Sequence, residues 1–388
     1  MVDTKAAPRL LITTAAVGSG HVSAANAVAQ AAAARGLEAR VVDALDHVPA
    51  AVRAGLPRAF VGLLRHAPGL VEQVGHRFGV RREPVDHGEV RRRLARAVGA
   101  SLVRTVASWR PGAVVHTHYF GLHMLDPLRR VAHPVHAVAI TDHGLHGLWL
   151  HPAVSRYYLS NGALADRIAA LGIPEDRLRS SGIPVDPRFA ALPTRAEARA
   201  RLGIDPGGPL ILLIAAGLAP ASAETIVRGL GSGFGSLEVA VATGRSVDLG
   251  ERLPRLADAH TPVRFHWLGH TRAMPDWMAA ADLIVGKPGG LTSSEALAAG
   301  RPFVIVDPYP LQEVANARYL VALGAGVRAA DPSAAVGLAL DLVQDDRRRG
   351  AMAAAARAAG RPAAAAALVD DLLTVVWRPQ PPAAPVAA

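Results

Sequence analysis

Three stretches combine residue types and spacings that could do chemistry. The first is Gly286-Lys287-Pro288-Gly289-Gly290-Leu291-Thr292, preceded by the apolar run Leu283-Ile284-Val285, which has the length of a buried strand. Glycines at a strand exit let backbone N–H groups approach a ligand with no Cβ in the way. A short helix is expected to open at Thr292 or Ser293 and to stop at Gly300 in a left-handed cap. Strand, glycine turn and helix N-terminus together suit an anion, most naturally a phosphate or diphosphate. Glu295 has two readings: partner of Thr292 in a capping box, or acceptor for ribose hydroxyls of a nucleotide. The next helix, from near Gln312 to Gly324, sets Gln312 and Asn316 four apart on one polar face. Lys287 either neutralises phosphate or is an ordinary solvated cation.

The second stretch is Gly18-Ser19-Gly20-His21, at the mouth of an alanine-rich helix. A histidine in the first turn feels the positive end of the helix dipole, which disfavours protonation and suits a neutral base. Packing or capping is its other reading. The third is Thr141-Asp142-His143-Gly144-Leu145-His146-Gly147-Leu148-Trp149-Leu150-His151-Pro152. Its histidines lack the i, i+4 pairing with a glutamate that marks a zinc protease, so no metal site is expected. Asp142 either positions an acceptor, orients a base, or serves as a turn residue.

The elements that must position these residues read as strand, loop, helix, repeated. Arg9–Thr13 is a strand, a helix runs from the glycines to about Ala34, and Leu37–Val42 is the next strand, ending at Asp43. This βαβ pattern leaves a dinucleotide enzyme open, with Asp43 gripping an adenine ribose, although Ser23 stands where the full fingerprint needs glycine. Further strands are expected at Ala113–His116, Val135–Ile140 and Tyr157–Asn161, then at Leu210–Ala215, Val239–Thr243 and Val263–Leu268. A helix is expected over Met274–Ala280, and alanine-rich helices after Gly326. Polar loops at the strand ends share one edge of a parallel sheet, the edge that binds ligands. Three prolines between Pro184 and Pro193 mark a passage between two domains, residues 1–190 and 191–360, followed by a helix over 361–377 and a disordered tail, 378–388.

Composition narrows the chemistry. A chain of 388 residues exceeds a usual single domain. With no cysteine, disulfides, thiolate metal sites and cysteine nucleophiles are excluded. Only Lys5 and Lys287 are lysines among 42 basic residues, and the net charge of +10 attracts anionic surfaces. Aromatic residues are only 4% and no nucleic-acid module is visible, so anionic lipid headgroups are favoured over nucleic acid. Ala54–Arg65, with Leu70, Val71, Val74 and Phe78 beyond it, and the helix opening at Val90-Arg91-Arg92-Arg93-Leu94-Ala95-Arg96, read either as interfacial or as ordinary solvated surface. No run reaches the ~18 apolar residues of a membrane span. The first apolar run is too short for a signal peptide. A cytoplasmic protein, peripheral on the cytoplasmic face of the membrane, is expected.

The run GKPGGLTSSEALAAGRPFVIVDPYPLQEVANARYLVALGAG resembles the donor-site signature of glycosyltransferase family 28. That family includes the monogalactosyl- and glucosyl-diacylglycerol synthases and the N-acetylglucosaminyltransferase that makes lipid II. The Thr141–Pro152 run resembles the glycolipid synthase branch. The resemblance implies the α/β GT-B fold, two Rossmann-like domains with parallel sheets facing a central cleft. It implies an inverting, metal-independent hexosyltransferase that uses a UDP-sugar, without cofactor, on a lipid hydroxyl, most naturally of diacylglycerol; a same-fold transferase with a polyprenyl or natural-product acceptor, a UDP-sugar epimerase and a noncatalytic nucleotide- or lipid-binding protein stay open. Carried over, Lys287, Gly289, Gly290, Leu291 and Thr292 lie at the diphosphate and Glu295 at the ribose. Gln312 and Glu313 lie at the sugar, with Asn316 also on the donor side, Gly244 and Arg245 at the diphosphate, and Leu268 near the uracil. His21 is the implied base, with Asp142 its helper, and Gly18, Gly20, His143 and Trp149 belong to the acceptor side. Arg245 also admits a bland reading, as a surface cation, and Trp277 and Met278 read as core rather than ligand contacts. Two departures stand out. Leu311 replaces a glycine common in relatives, and Ala216-Gly217-Leu218-Ala219-Pro220-Ala221-Ser222 keeps one glycine where relatives have a glycine-rich turn.

Overall fold

The computed structural model describes residues 8–16, 18–48, 89–125, 134–257, 261–309 and 311–377, with residues 89–98 and 311 described in their backbone alone. The apolar, arginine-punctuated stretch from Ala54 to Phe78 and the tail after Trp377 therefore lie outside the described residues, as do the side chains of Arg91 to Arg96. Two units separate. The first takes in the described residues of 1–141, 146–184 and 364–388; the second comprises Asp142–Leu145 and Val185–Ala363.

The first unit contains β1 (Arg9–Thr14), α1 (Ser19–Ala33), β2 (Glu38–Asp43), α2 (Glu89–Trp109), β3 (Ala113–His116), α3 (Tyr119–Met124), β4 (Val135–Ala139), β5 (Val154–Tyr158), α4 (Gly162–Ala169) and β6 (Leu178–Arg179). Its strands form one parallel sheet in the order β2-β1-β3-β4-β5-β6. Alternate residues of β1 enter opposite cores: Leu10 and Ile12 pack with Val28 and Ala32 of α1, whereas Leu11 packs with Leu102 and Val106 of α2. Each such fully buried leucine or isoleucine contributes roughly 1.5–3 kcal/mol. The sheet is covered on both faces, which is why its strands read as unbroken apolar runs.

The second unit contains α5 (Arg195–Leu202), β7 (Leu210–Ile214), α6 (Pro220–Gly231), β8 (Glu238–Ala242), α7 (Val247–Arg252), β9 (Arg264–Leu268), α8 (Met274–Ala280), β10 (Leu283–Gly286), α9 (Gly290–Ala298), β11 (Phe303–Ile305), α10 (Leu311–Ala322), β12 (Gly326–Arg328), α11 (Pro332–Gln344) and α12 (Asp346–Ala359). Its sheet is also parallel, ordered β12-β11-β10-β7-β8-β9. Ile211 and Leu213 face α6 and α11, while Leu210 and Leu212 face the side that holds α5, α8, α9 and α10. The last helix, α13 (Ala364–Val376), belongs to the first unit, where Leu368, Val369 and Leu372 join the core under α1. Asp371 holds it there, accepting from Arg156 Nε at 3.0 Å, Arg179 Nε at 3.0 Å and the Tyr158 hydroxyl at 2.9 Å.

Some boundaries differ from the sequence reading. The strand expected over Tyr157–Asn161 lies earlier, at Val154–Tyr158, because the Ala153 N–H caps back onto His151 and extended pairing starts directly after it. β12 lies within the stretch read as helical after Gly326; at three residues it is too short to show a period. Gly300 has the expected left-handed φ, 65°, and Gly324 follows α10 with φ 72°.

Candidate functional site

In the second sheet the chain steps from β7 to β8 on one side, whereas β10 lies on the other. The connections after β7 and β10 therefore diverge at the carboxyl edge, the switch point where open α/β sheets hold ligands. After β7 the lone Gly217 turns with φ 85°; after β10 comes Lys287-Pro288-Gly289. α9 starts at Gly290, two residues before the expected Thr292, and its N-cap, Gly289, is extended and offers no side-chain cap. Gly289's own N–H is spent on the Lys287 carbonyl at 2.9 Å, and its carbonyl accepts from Ser293 N at 2.8 Å. The first-turn N–H groups of Gly290, Leu291 and Thr292 have no intrahelical acceptor, an arrangement able to hold an anion. Arg245, exposed after β8, has no hydrogen-bond or ion-pair partner among the described residues. Gly244 beside it is left-handed, φ 60°, and a Cβ there would stand 3.1 Å from Ala216 Cβ.

The Thr292–Glu295 capping box, one of the two readings of Glu295, does not form, because Glu295 is the sixth residue of the helix and too far along to reach its cap. Its partly buried carboxyl has no hydrogen-bond partner among the described residues. Desolvation first, then the charge of Asp186, push it up to about 8. Lys287 is not a free solvated cation: Nζ donates to the Tyr309 carbonyl at 2.8 Å and pairs with Glu313 at 2.9 Å. Glu313 also accepts from Tyr309 N at 3.1 Å, and burial raises its carboxyl against the pull of Lys287. Gln312 is exposed on the first turn of α10. Leu268 ends β9 with its carbonyl already accepting from Thr243 N at 2.9 Å, so the exposed backbone at that edge is Gly269–His270.

Asn316 departs most from expectation. It is completely buried, its Oδ1 accepts from His143 N at 2.7 Å, and its Nδ2 donates to Asp142 Oδ1 at 3.1 Å. Asp142 and His143, assigned from sequence to the base and the acceptor side, thus sit in the second unit on α10. Burial pushes the Asp142 carboxyl up to about 6, with the Asn316 bond opposing. Burial alone takes the His143 imidazole down to about 3.

The first sheet repeats the logic. β2 lies on one side of β1 and β3 on the other, so the loops after β1 and β3 flank its switch point. Gly18, with φ 155°, is the N-cap of α1; Gly20 and His21 are in the first turn. His21 Nδ1 lies 2.9 Å from the Thr117 carbonyl and 2.8 Å from Thr141 Oγ1. A carbonyl only accepts, so Nδ1 carries the proton, and the neutral ring keeps its lone pair on Nε2. Burial lowers the imidazole below its usual value, and the Thr117 bond partly offsets this. The Thr117 hydroxyl returns a bond to the His21 carbonyl at 3.0 Å. Around His21 lie His118, edge-on with centroids 4.6 Å apart, and Tyr119, stacked on His118 at 4.2 Å. His146 and Trp149 meet Tyr119 edge-on at 5.1 and 5.7 Å. Trp149 is fully buried in this cluster, which makes it a packing residue rather than an exposed acceptor contact. Thr117, His118 and Tyr119 were not singled out from sequence, and Thr141 and His146 were named only as members of the Thr141–Pro152 stretch; the signal of the first three is their place, directly after β3. Asp43 is spent on the N–H groups of Leu45 and Ala16, at 2.9 and 3.2 Å, as a turn residue rather than a ribose grip. Among the described residues no group of three metal-ligating side chains comes together, and no helix is long and apolar enough to cross a membrane.

Comparison with known proteins agrees with this geometry. Residues 21–185 match the monogalactosyldiacylglycerol (MGDG) synthase family, and residues 221–367 match the glycosyltransferase family 28 C-terminal domain. The chain belongs to glycosyltransferase family 28. Among curated relatives, the processive diacylglycerol beta-glucosyltransferase of Staphylococcus saprophyticus is 33% identical over 211 residues, covering 52% of this chain and 51% of that protein. The Staphylococcus carnosus protein of the same name is 32% identical, covering 54% of each. This family 28 chain thus spans about half the length of the curated relatives it matches. Among solved structures, Acinetobacter baumannii MurG superposes with a TM-score of 0.62 at 18% identity, covering 95% of this chain and 100% of the other. Staphylococcus aureus MnaA, in a co-structure with UDP, gives 0.64 at 10% identity, covering 95% and 96%. These likenesses concern the fold, the GT-B class of two parallel-sheet domains.

Proposed function

We propose that this family 28 chain is an inverting hexosyltransferase that moves a sugar from UDP to a lipid hydroxyl, that of diacylglycerol. The observation that carries the reading is the His21 ring, whose Nδ1–H is held by Thr117 and whose lowered basicity keeps Nε2 unprotonated near neutral pH. In the step, Nε2 takes the acceptor's hydroxyl proton while that oxygen bonds to the anomeric carbon. The bond from that carbon to UDP breaks on the opposite face, and its electron pair leaves with the diphosphate. Fixed N–H dipoles at Gly290, Leu291 and Thr292, with Arg245, meet the charge that develops there. Glu295 accepts from the ribose, and Gln312 and Glu313 contact the hexose. This displacement needs a base and a stabilised leaving group, and neither a metal nor a cofactor enters it. The names of the staphylococcal relatives support diacylglycerol as acceptor. The net charge of +10 supports peripheral work at an anionic membrane face in the cytoplasm.

The test offers purified chain a panel of UDP-sugars with anionic vesicles containing diacylglycerol. Expected is a glycosyl-diacylglycerol of inverted anomeric configuration, lost by about 10²–10⁴-fold in His21→Ala while UDP still binds. Epimerised donor in the absence of acceptor, or UDP binding with no transfer to any lipid, contradicts the reading.

A further inference from the structure

Asp142, His143 and Gly144 are each fitted to α10. Asn316 uses both ends of its amide on it, donating to Asp142 Oδ1 and accepting from the His143 N–H. The His143 ring stacks on Tyr319, centroids 4.2 Å apart and planes 20° from parallel, and its Nε2 lies 3.5 Å from Ser294 Oγ of α9. A Cβ on Gly144 would stand 2.7 Å from Ala315 Cβ, so only glycine lets the segment come this close. Positions 315, 316 and 319 form one patch of the helix, a turn beyond Gln312 and Glu313.

A completely buried amide whose two polar ends are both bonded to protein has little left to offer a sugar. We propose that Asn316 is a positioning residue: it fixes Asp142 on the helix that presents Gln312 and Glu313, so that the carboxylate and the sugar-facing turn move as one piece. Asp142 Oδ2 has no hydrogen-bond partner among the described residues and is the oxygen so presented. The proposal rests on the transferase reading for its kinetic consequences but not for the clasp itself.

The test is a swap in the full-length chain. Asn316→Asp places two carboxylates on one buried bond. Asp142→Asn in the same molecule restores a donor–acceptor pair, with residue 316 still able to accept from His143 N–H. Expected are a melting temperature several degrees lower in Asn316→Asp, recovered in the double variant, and a turnover about tenfold lower in Asn316→Asp at unchanged donor KM and UDP affinity. On the Asp142→Asn background, Asn316→Asp should cost no further turnover. Additive stability effects overturn the clasp whatever the chain catalyses. A donor KM or sugar preference that moves with Asn316→Asp and is not rescued overturns the positioning role in favour of direct sugar contact. If no sugar is transferred by any variant, the proposed function fails, while recovery of stability in the double variant still supports the clasp.

Discussion

If Glu295 receives the ribose hydroxyls as proposed, UDP affinity should depend on pH. Its carboxyl sits inside α9 without a hydrogen-bond partner among the described residues and, by desolvation and the nearby Asp186, is pushed up to about 8. Ribose hydroxyls need a carboxylate to receive both their protons, so UDP binding should select the ionised form and expel a proton. The apparent dissociation constant then scales as 1 + 10^(pKa − pH). A pKa of about 8 makes UDP roughly 25-fold weaker at pH 6.5 than at pH 8.5, and a value one unit lower still leaves roughly fourfold. The diphosphate's own last ionisation, near pH 6, adds a factor of only about 1.3 at the acid end. Calorimetry at pH 7 in buffers of different ionisation enthalpy should show release of about 0.9 proton per UDP bound. Glu295→Gln should abolish both the slope and the release. The unliganded protein carries the opposite linkage: a carboxyl raised above its usual 4.5 stabilises the fold below that value and loses this contribution as pH rises through about 8. A flat affinity between pH 6.5 and 8.5 with no proton released would refute the assignment of Glu295 to the ribose.

At saturating donor, turnover should stay level on the acid side down to below pH 6.5, because burial lowers the His21 imidazole beneath that value; a limb centred above pH 7 would count against His21 as base. Asp371→Ala removes the shared acceptor of two arginines and the Tyr158 hydroxyl, and should cost about 2–4 kcal/mol in a denaturant titration. Gly300→Ala puts a Cβ at φ 65° against Arg357 Cγ and should cost about 1–2 kcal/mol or more, read as a lower melting temperature with UDP affinity kept.

Much of the fold was legible because both sheets are covered on two faces. Runs such as Leu210–Ile214 and Leu283–Gly286 must be apolar throughout, and the glycines that close the helices between them need a left-handed φ. The glycine turn after β10 was legible for the same reason, yet its helix start was misplaced. Thr292 and Ser293 have the side chains of an N-cap, and the real cap, Gly289, declares itself only by geometry. Burial was the information missing elsewhere. Nothing in the spacing of Gln312 and Asn316 tells that one is exposed and the other enclosed. Nor does the string from Asp142 to Trp149 reveal that its first four residues belong to the second unit and its tryptophan to the core of the first. Thr117 was passed over because it acts through its backbone carbonyl, and a main-chain acceptor has no letter in the sequence.

The most direct measurement of the account is a pair of titrations, UDP and uridine, against the wild-type chain and Gly290→Pro. Gly290 is the first residue of α9 and follows a residue at φ −60° and ψ 146°, a backbone that suits proline, which deletes one of the three first-turn N–H donors while leaving the helix hydrogen bonds in place. If the diphosphate rests on that turn, UDP should lose one charged hydrogen bond, about 1.5–3 kcal/mol or roughly 10–100-fold in affinity, while uridine binds as before. Equal UDP affinity in the two proteins would place the diphosphate elsewhere and contradict the account.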